Sequence, residues 1–484
     1  MSEFYDLVVI GAGPAGMEAA ITAAENGVKT AIIDSNPGAG GQYYKPLPGA
    51  FQVSKKGQTE RNGEFLTRIL EGLPVTRIYD TLTWGIFKEE DRDGWLVTLY
   101  GPAAPKQIHA RTLVLANGAY DSPVAFPGWT LPGVITCGAS LILVKNQRTA
   151  PGKRVLITGT GPLLLSAAAH LIDAGVEVAA VCEASHLFPR ALRYGFTMLG
   201  HLPRLFEGAG YTRALLRGRT PYKTGWSIVE ARGKEQVESA VIGKVDKDGY
   251  PVPGTEQVLE NIDTVICGYG LTPNTGLARM IGCKMEYRQE KGGWVPVRDQ
   301  TMQTSLQGVY AAGDGAGIAG AENARLEGRV AGAAAALQLD YITEKRAGEI
   351  YGQIKRELMN QRRFGELLGD LFTAKPGLIS LAKDDTIICR CEEITLGEIK
   401  TAIAEGARTI GEVKMVTRVG MGNCQGRICE RLVAGAIVQA LAQEKATFES
   451  AGAYSIRPPL HPLPVGFLAE AGEEQSDDYA KGVE

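Results

Sequence analysis

Residues 6–34 run strand, glycine turn, helix, strand and acid in that order, which leaves few folds open to the chain. Asp6-Leu7-Val8-Val9-Ile10 has the unbroken apolar character of a buried parallel strand. Gly11-x-Gly13-x-x-Gly16 follows at once, with Pro14 and Ala15 ahead of its last glycine, and Met17 to Asn26 reads as a helix. Lys29 to Asp34 supplies the next strand and its terminal acid. In such a unit Gly11 permits the tight turn, Gly13 lets the backbone approach a pyrophosphate and Gly16 lets helix and strand pack closely. Asp34 is placed to accept hydrogen bonds from a ribose. A glycine-rich turn in a core would account for the loop alone, not for the ordered series.

The unit recurs at 154–183. Arg154 to Thr158 reads as a strand, Gly159-Thr160-Gly161-Pro162-Leu163-Leu164 as its loop, Leu165 to Ala174 as a helix, and Val176 to Glu183 as strand and terminal acid. Leu164 stands where the third glycine belongs, which crowds a pyrophosphate and weighs against a nicotinamide nucleotide. If an adenine nucleotide sits on Gly159 and Gly161, Glu183 favours an unphosphorylated ribose.

At 484 residues the chain is too long for one core. A net charge of −3 gives no electrostatic footprint for nucleic acid or an anionic membrane. A first strand near Asp6 leaves no room for a secretory signal ahead of it, and eight cysteines with one tight pair argue against a disulfide framework. A cytoplasmic protein without a membrane span is expected. The five histidines show no metal spacing, and no Ser, His and Asp grouping suggests hydrolysis.

Far downstream, Thr304-Ser305-Leu306-Gln307-Gly308-Val309-Tyr310-Ala311-Ala312-Gly313-Asp314-Gly315 resembles the second motif of flavoproteins built from two dinucleotide folds. The resemblance implies FAD, with Asp314 on the ribityl chain after Gly313, and a helix from Asn323 to Leu337 pointing its amino end at the cofactor. Taken alone, Asp314 also reads as a helix cap. Gly38 to Tyr44, with Gly41 and Gln42, could line the same flavin or form a surface loop. Ile262 to Thr275 resembles the strand and turn that return to the flavin domain in disulfide-reductase relatives. Those relatives use a redox cysteine pair, whereas Cys137, Cys182, Cys267 and Cys283 are isolated here.

Cys389-x-Cys391 and Cys424-x₄-Cys429 supply four soft ligands of the kind that iron–sulfur clusters and zinc share. C-x-C is unusual for zinc. In an extended segment Cys389 and Cys391 would point the same way, with Arg390 facing outward. Thr395 to Glu398 reads as a capping box opening a short helix that Gly406 ends, and a second helix follows Cys429. The stretch resembles the [2Fe-2S] domain of bacterioferritin-associated ferredoxin.

Beyond it, Tyr454 to Pro464 is proline-rich and 473–484 acidic. Such an arm either packs on a neighbour or stays solvated. The series Gly11–Gly16, Gly40–Tyr44, Gly159–Leu164, Gly313-Asp314, the four cysteines and Arg457-Pro458-Pro459 resembles the alpha, or A, subunit of heteromeric flavin dehydrogenases and oxidases acting on opines, proline, D-hydroxyproline or glycine.

That resemblance implies an α/β two-dinucleotide-fold flavoprotein with a small helical [2Fe-2S] domain. The expected division is flavin domain at 1–120 and 271–340, inserted NAD-type fold at 121–270, helical linker at 341–385, cluster domain at 386–446, and arm and tail at 447–484. It also implies a flavin-containing beta subunit that oxidises the substrate, with room for a small gamma subunit and for FMN at a subunit junction. This chain would pass the electrons on to an acceptor the sequence does not name; no residue is assigned to catalysis. The rivals are a stand-alone NAD(P)H-dependent flavin and iron–sulfur reductase, and a cluster-carrying scaffold or redox sensor without active flavin.

Overall fold

The computed structural model describes residues 3–47, 57–89, 93–187 and 202–469, the side chains of 202–207 excepted. The arginine-rich run from Arg190 lies outside the described residues up to 201 and continues as the helix Leu202–Arg217. The acidic tail also lies outside them.

A seven-stranded sheet carries the first glycine turn. Val75–Ile78, Thr30–Ile33, Phe4–Ile10 and Gln107–Leu115 run parallel in that order. Gln107–Leu115 serves two neighbours along one edge. Its first half pairs antiparallel with Trp95–Tyr100, and its second half pairs parallel with Val309–Ala311. Distant parts of the chain thus end side by side, since Ile10 pairs with Ile33 and Leu115, and Leu115 with Ala311. Loops leaving the carboxyl ends of such strands are where open α/β sheets bind ligands.

Helix Pro14–Glu25 begins three residues before the Met17 expected from the pattern, because Pro14 at its first position has no N–H to leave unsatisfied. Ala321–Gln338 packs across it on a seam of glycines. A Cβ on Gly328 would lie 2.1 Å from the Ala15 carbonyl oxygen, and one on Gly332 2.4 Å from that of Ala19. Neither position admits a side chain without separating the helices.

The antiparallel pair Ala119–Asp121 and Leu271–Pro273 carries the chain out of this domain and back. Between them lies a five-stranded parallel sheet, ordered Tyr222–Thr224, Glu177–Glu183, Arg154–Gly159, Thr264–Gly268, Val134–Thr136. A three-stranded antiparallel sheet flanks it. The 29-residue helix Glu344–Phe372 runs along Ala321–Gln338.

The hairpin Ile387–Cys389 and Ile394–Thr395 precedes helices Leu396–Ala404, Ile410–Thr417 and Glu430–Ala440. Thr395 and Glu398 form the capping box, and Gly406 follows the helix at φ +116°. Among the described residues, this last domain shares its core with the inserted fold. Ile388, Leu396, Ile399 and Val433 belong to one buried cluster with Phe126, Trp129 and Ile262 of the inserted fold. Among the described residues, no helix is long and apolar enough to cross a membrane.

Candidate functional site

The first turn is tightly constrained. Gly11 sits at φ +103°, where a Cβ would lie 2.3 Å from the Ala116 carbonyl oxygen, and a Cβ on Gly16 would lie 1.7 Å from that of Gly11. Gly13 is different: its Cβ position meets nothing nearer than the Gly41 Cα at 3.9 Å. Gly41 comes there because Gly40 donates its N–H to the Ala12 carbonyl at 2.8 Å. Gln42, one residue on, is exposed. Pro14 and Ala15 open the helix. Asp34 turns its carboxylate onto the loop, accepting from the Ala12 N–H at 2.5 Å and the Asn36 N–H at 2.7 Å.

Across the strand ends stands the Gly313-Asp314 turn. Asp314 Oδ1 accepts from the N–H groups of Ala319 and Gly320 at 3.0 and 3.1 Å, while burial pushes its carboxyl up. Beneath the turn, Glu327 accepts the Gly313 N–H at 3.0 Å and takes both prongs of Arg298 at 2.7 and 2.8 Å. Sequence reasoning missed this pair; its one visible trace is a carboxylate inside the small-residue run of Ala321–Gln338. In the first turn of that helix Asn323 is buried, and its Oδ1 has no hydrogen-bond partner among the described residues. An orphan acceptor and a helix amino terminus fit an anionic dinucleotide with ring N–H donors.

The inserted loop is arranged otherwise. Glu183 is wholly buried and accepts from the Gly161 and Ser185 N–H groups, both at 2.9 Å. Burial pushes its carboxyl up against those donors. Gly159 lies against the Gly268 carbonyl, and Leu164 is core. Thr160 donates its hydroxyl to the Phe372 carbonyl at 3.0 Å, so the end of the long helix lies over the loop. A Cβ on Gly161 would stand 3.9 Å from that of Phe372.

The four cysteines of the carboxy-terminal domain approach one another in pairs, and not from an extended C-x-C. The strand Ile387–Cys389 stops at its first cysteine and residues 390–393 turn, with Glu393 at φ +56°. A turn has no two-residue alternation, so Cys389 points inward, 1% exposed, while Cys391 is exposed. The thiols meet in two pairs, Cys389 with Cys429 and Cys391 with Cys424. The Cys429 thiol, joined by the N–H groups of Gly420, Glu392 and Cys391, holds Cys389 down at about 5. The same contact, with burial, pushes Cys429 up. Two pairs of thiolates are what the two irons of a [2Fe-2S] cluster require, and converging N–H groups stabilise the negative sulfurs. Cys137, Cys182, Cys267 and Cys283 are free and buried elsewhere; burial pushes Cys182 and Cys267 up to about 12.

Between flavin-type domain and cluster loop lies a cleft that is partly open to solvent. Arg279, Arg427, Arg431, Arg457 and Lys414 line it, against the single carboxylate of Glu430. Arg279 forks onto Glu430 at 3.0 to 3.1 Å. Arg427 joins three parts of the chain, donating to the Cys424 carbonyl at 3.1 Å, the Tyr120 hydroxyl at 3.0 Å and the Leu460 carbonyl at 2.9 Å. His461, beside Arg427, is pushed down to about 4 by burial and by that guanidinium, so it is neutral at pH 7. Tyr287 on the wall has a buried hydroxyl without a hydrogen-bond partner among the described residues. The proline-rich arm packs on its own chain: Leu460 donates its N–H to the Trp84 carbonyl at 2.8 Å, and Phe467 meets the Tyr100 ring edge-on.

Residues 5–328 match the pyridine nucleotide-disulphide oxidoreductase family, and residues 387–450 the BFD-like [2Fe-2S] binding domain. This chain belongs to the pyridine nucleotide-disulphide oxidoreductases. It is an FAD-type oxidoreductase joined to a [2Fe-2S] domain, as the flavin motifs and cysteines led us to expect. The chain is 30% identical to the A subunit of opine oxidase from Rhizobium meliloti over 97% of its length and 88% of the relative's. It is 32% identical to hydrogen cyanide synthase subunit HcnB of Pseudomonas protegens, covering 97% and 98%. Among solved structures, L-proline dehydrogenase from P. horikoshii shares the fold, with a TM-score of 0.68 at 20% identity, covering 97% of this chain and 80% of that one. Relatives named as subunits of larger enzymes imply that this family member works beside partner subunits.

Proposed function

We propose that the chain is the electron-transfer (alpha) subunit of a heteromeric, dye-linked dehydrogenase or oxidase acting on the C–N bond of an amino acid or opine, of the D-hydroxyproline, proline, octopine/nopaline or glycine class. The observation that carries the reading is the cleft: the flavin-domain return, the cluster loop and the carboxy-terminal arm all meet there, tied by Arg427. Bound FAD would turn an electron pair into single electrons, which a [2Fe-2S] cluster takes one at a time.

The chain's own residues divide the work. Gly11, Gly13, Pro14, Ala15 and Gly16 offer the pyrophosphate a close backbone, and Asp34 the ribose an acceptor. Gly41 and Gln42 border that turn, while Gly313 and Asp314 present the second half. Cys389, Cys391, Cys424 and Cys429 would hold the irons. A flavin-containing beta subunit would oxidise the substrate carbon, with a small gamma subunit completing the complex.

FMN is our candidate for the cleft. Arg427 has no carboxylate partner among its hydrogen bonds, and Tyr287 offers an unused hydroxyl, so a phosphate and a polar ring edge have groups to meet. The inserted fold we assign to an adenine nucleotide rather than a hydride donor, because Leu164 takes the third glycine position and the end of the long helix at Phe372 lies over its loop. Eight free cysteines suit a cytoplasmic location.

One experiment separates this from the stand-alone reductase. The complex is purified with its co-expressed neighbours and mixed anaerobically with NADH, NADPH, or a panel of proline-type and opine substrates. Bleaching of the flavin absorbance by an amine substrate alone is expected. Rapid bleaching by a nicotinamide nucleotide, with none by amines, overturns the assignment.

A further inference from the structure

Tyr454 lies beyond the 387–450 match, yet its ring fills the middle of the cluster loop and is 3% exposed. Gly420 and Gly426 are shaped around it. Both sit at φ +81°, and a Cβ would lie 2.6 Å from the ring at Gly420 and 2.3 Å from it at Gly426. The hydroxyl stands 3.7 Å from the Cys429 sulfur, one of the two buried ligand positions.

The backbone of the same residue is clamped between the two domains. Tyr454 donates its N–H to Glu430 at 3.0 Å, and its carbonyl accepts from Arg279, the residue that forks onto Glu430. Arg279 belongs to the short helix Gly276–Met280, just after the chain returns from the inserted fold. Above the ring sits the Lys414 ammonium, 5.2 Å from its centroid. Ring, hydroxyl and backbone are therefore each fixed from a different direction.

We propose that Tyr454 is a positioning residue that raises the reduction potential of the cluster by donating its phenolic hydrogen to the Cys429 thiolate. Iron binding removes the thiol proton, which leaves the tyrosine as the donor of that contact. A donor aimed at a ligand sulfur favours the state with more negative charge, and that is the reduced cluster. Because Arg279 holds the backbone of Tyr454, the donor's position is set by the domain that delivers the electron. The [2Fe-2S] module alone does not contain it.

The inference rests on the cluster assignment, so iron and sulfide content of the full chain is measured first. Tyr454→Phe keeps the ring between the two glycines and removes only the hydroxyl. In a redox titration followed by paramagnetic resonance, it is expected to lower the equilibrium constant for reduction about three- to tenfold, tenfold being about 59 mV for one electron. Replacing Tyr454 by 3,5-difluorotyrosine, a stronger donor of nearly the same shape, is expected to shift the midpoint the other way. Full cluster content with an unchanged midpoint in Tyr454→Phe overturns the proposal. If that variant fails to assemble its cluster, a midpoint in the fluorinated protein that is unchanged or lower does the same. A wild-type chain without iron and sulfide would instead overturn the cluster assignment.

Discussion

Arg298 and Glu327 form a two-pronged ion pair, 2.7 and 2.8 Å long, beneath the Gly313 N–H. The carboxylate is 1% exposed and also lies 3.6 Å from Arg362. Removing one partner of a buried pair leaves an uncompensated charge, which costs about 3–5 kcal/mol. Glu327→Ala is expected to lower stability by about that much and to release FAD, read by denaturant unfolding and by flavin in the filtrate. Arg298→Lys, which cannot fork, should fall between the variant and the wild type.

The same pair sets an acid limit. Burial alone would push the Glu327 carboxyl up, but Arg298, Arg362 and the Gly313 N–H overcome it and leave the group below its ordinary 4.5. A carboxyl depressed in the folded state contributes stability above its unfolded pKa and loses it as pH falls through the folded one. FAD retention should therefore hold steady from neutrality to about pH 5 and fall below about pH 4.5, where unfolded carboxylates begin to protonate. Fluorescence of released flavin along an acid titration checks this, and Glu327→Gln should remove that component.

Two glycines of the cluster domain separate crowding from strain. A Cβ on Gly426 would lie 2.3 Å from the buried Tyr454 ring, whereas one on Gly406, at φ +116°, meets nothing within 4 Å. Gly426→Ala must displace the ring or the loop carrying Cys424 and Cys429, and iron content should fall several-fold. Gly406→Ala bears the left-handed backbone alone, about 1 kcal/mol, and should keep its iron. Iron and sulfide analysis of the two purified variants, beside their melting curves, is the measurement.

How far the residues announce these relationships depends on their separation along the chain. Gly11, Gly13, Gly16 and Asp34 lie within one strand–turn–helix–strand unit, so hydrophobic period and glycine spacing expose both the fold and the turn. The C-x-C pair misled for a local reason: an extended segment was expected where Ile387–Cys389 ends and a turn begins, and no Gly or Pro between Cys389 and Ile394 marks it. Arg427 and Tyr120 are 307 residues apart and Arg279 and Glu430 are 151 apart. Such contacts follow from two domains meeting, which no window of sequence contains. Tyr454 was hidden in the same way, since a lone tyrosine ahead of a proline-rich arm has no pattern to belong to.

Arg427 offers the sharpest test of the cleft. Its guanidinium reaches the Cys424 carbonyl, the Tyr120 hydroxyl and the Leu460 carbonyl at once, and no single ammonium can point in three such directions. Arg427→Lys keeps the charge but releases at least one of the three parts. If the node serves both to seat an anionic flavin and to hold the cluster loop against the flavin domain, FMN should be lost from the purified complex. Electron transfer to the cluster should then slow by about tenfold, the effect of roughly 1.4 kcal/mol. FAD should stay, because Arg427 makes no contact with the Gly11–Gly16 turn among its hydrogen bonds. Flavin identified by chromatography after denaturation separates the two cofactors, and stopped-flow reduction by substrate gives the rate. An unchanged FMN content in Arg427→Lys would move that flavin out of the cleft and leave Arg427 with a purely structural role between the domains.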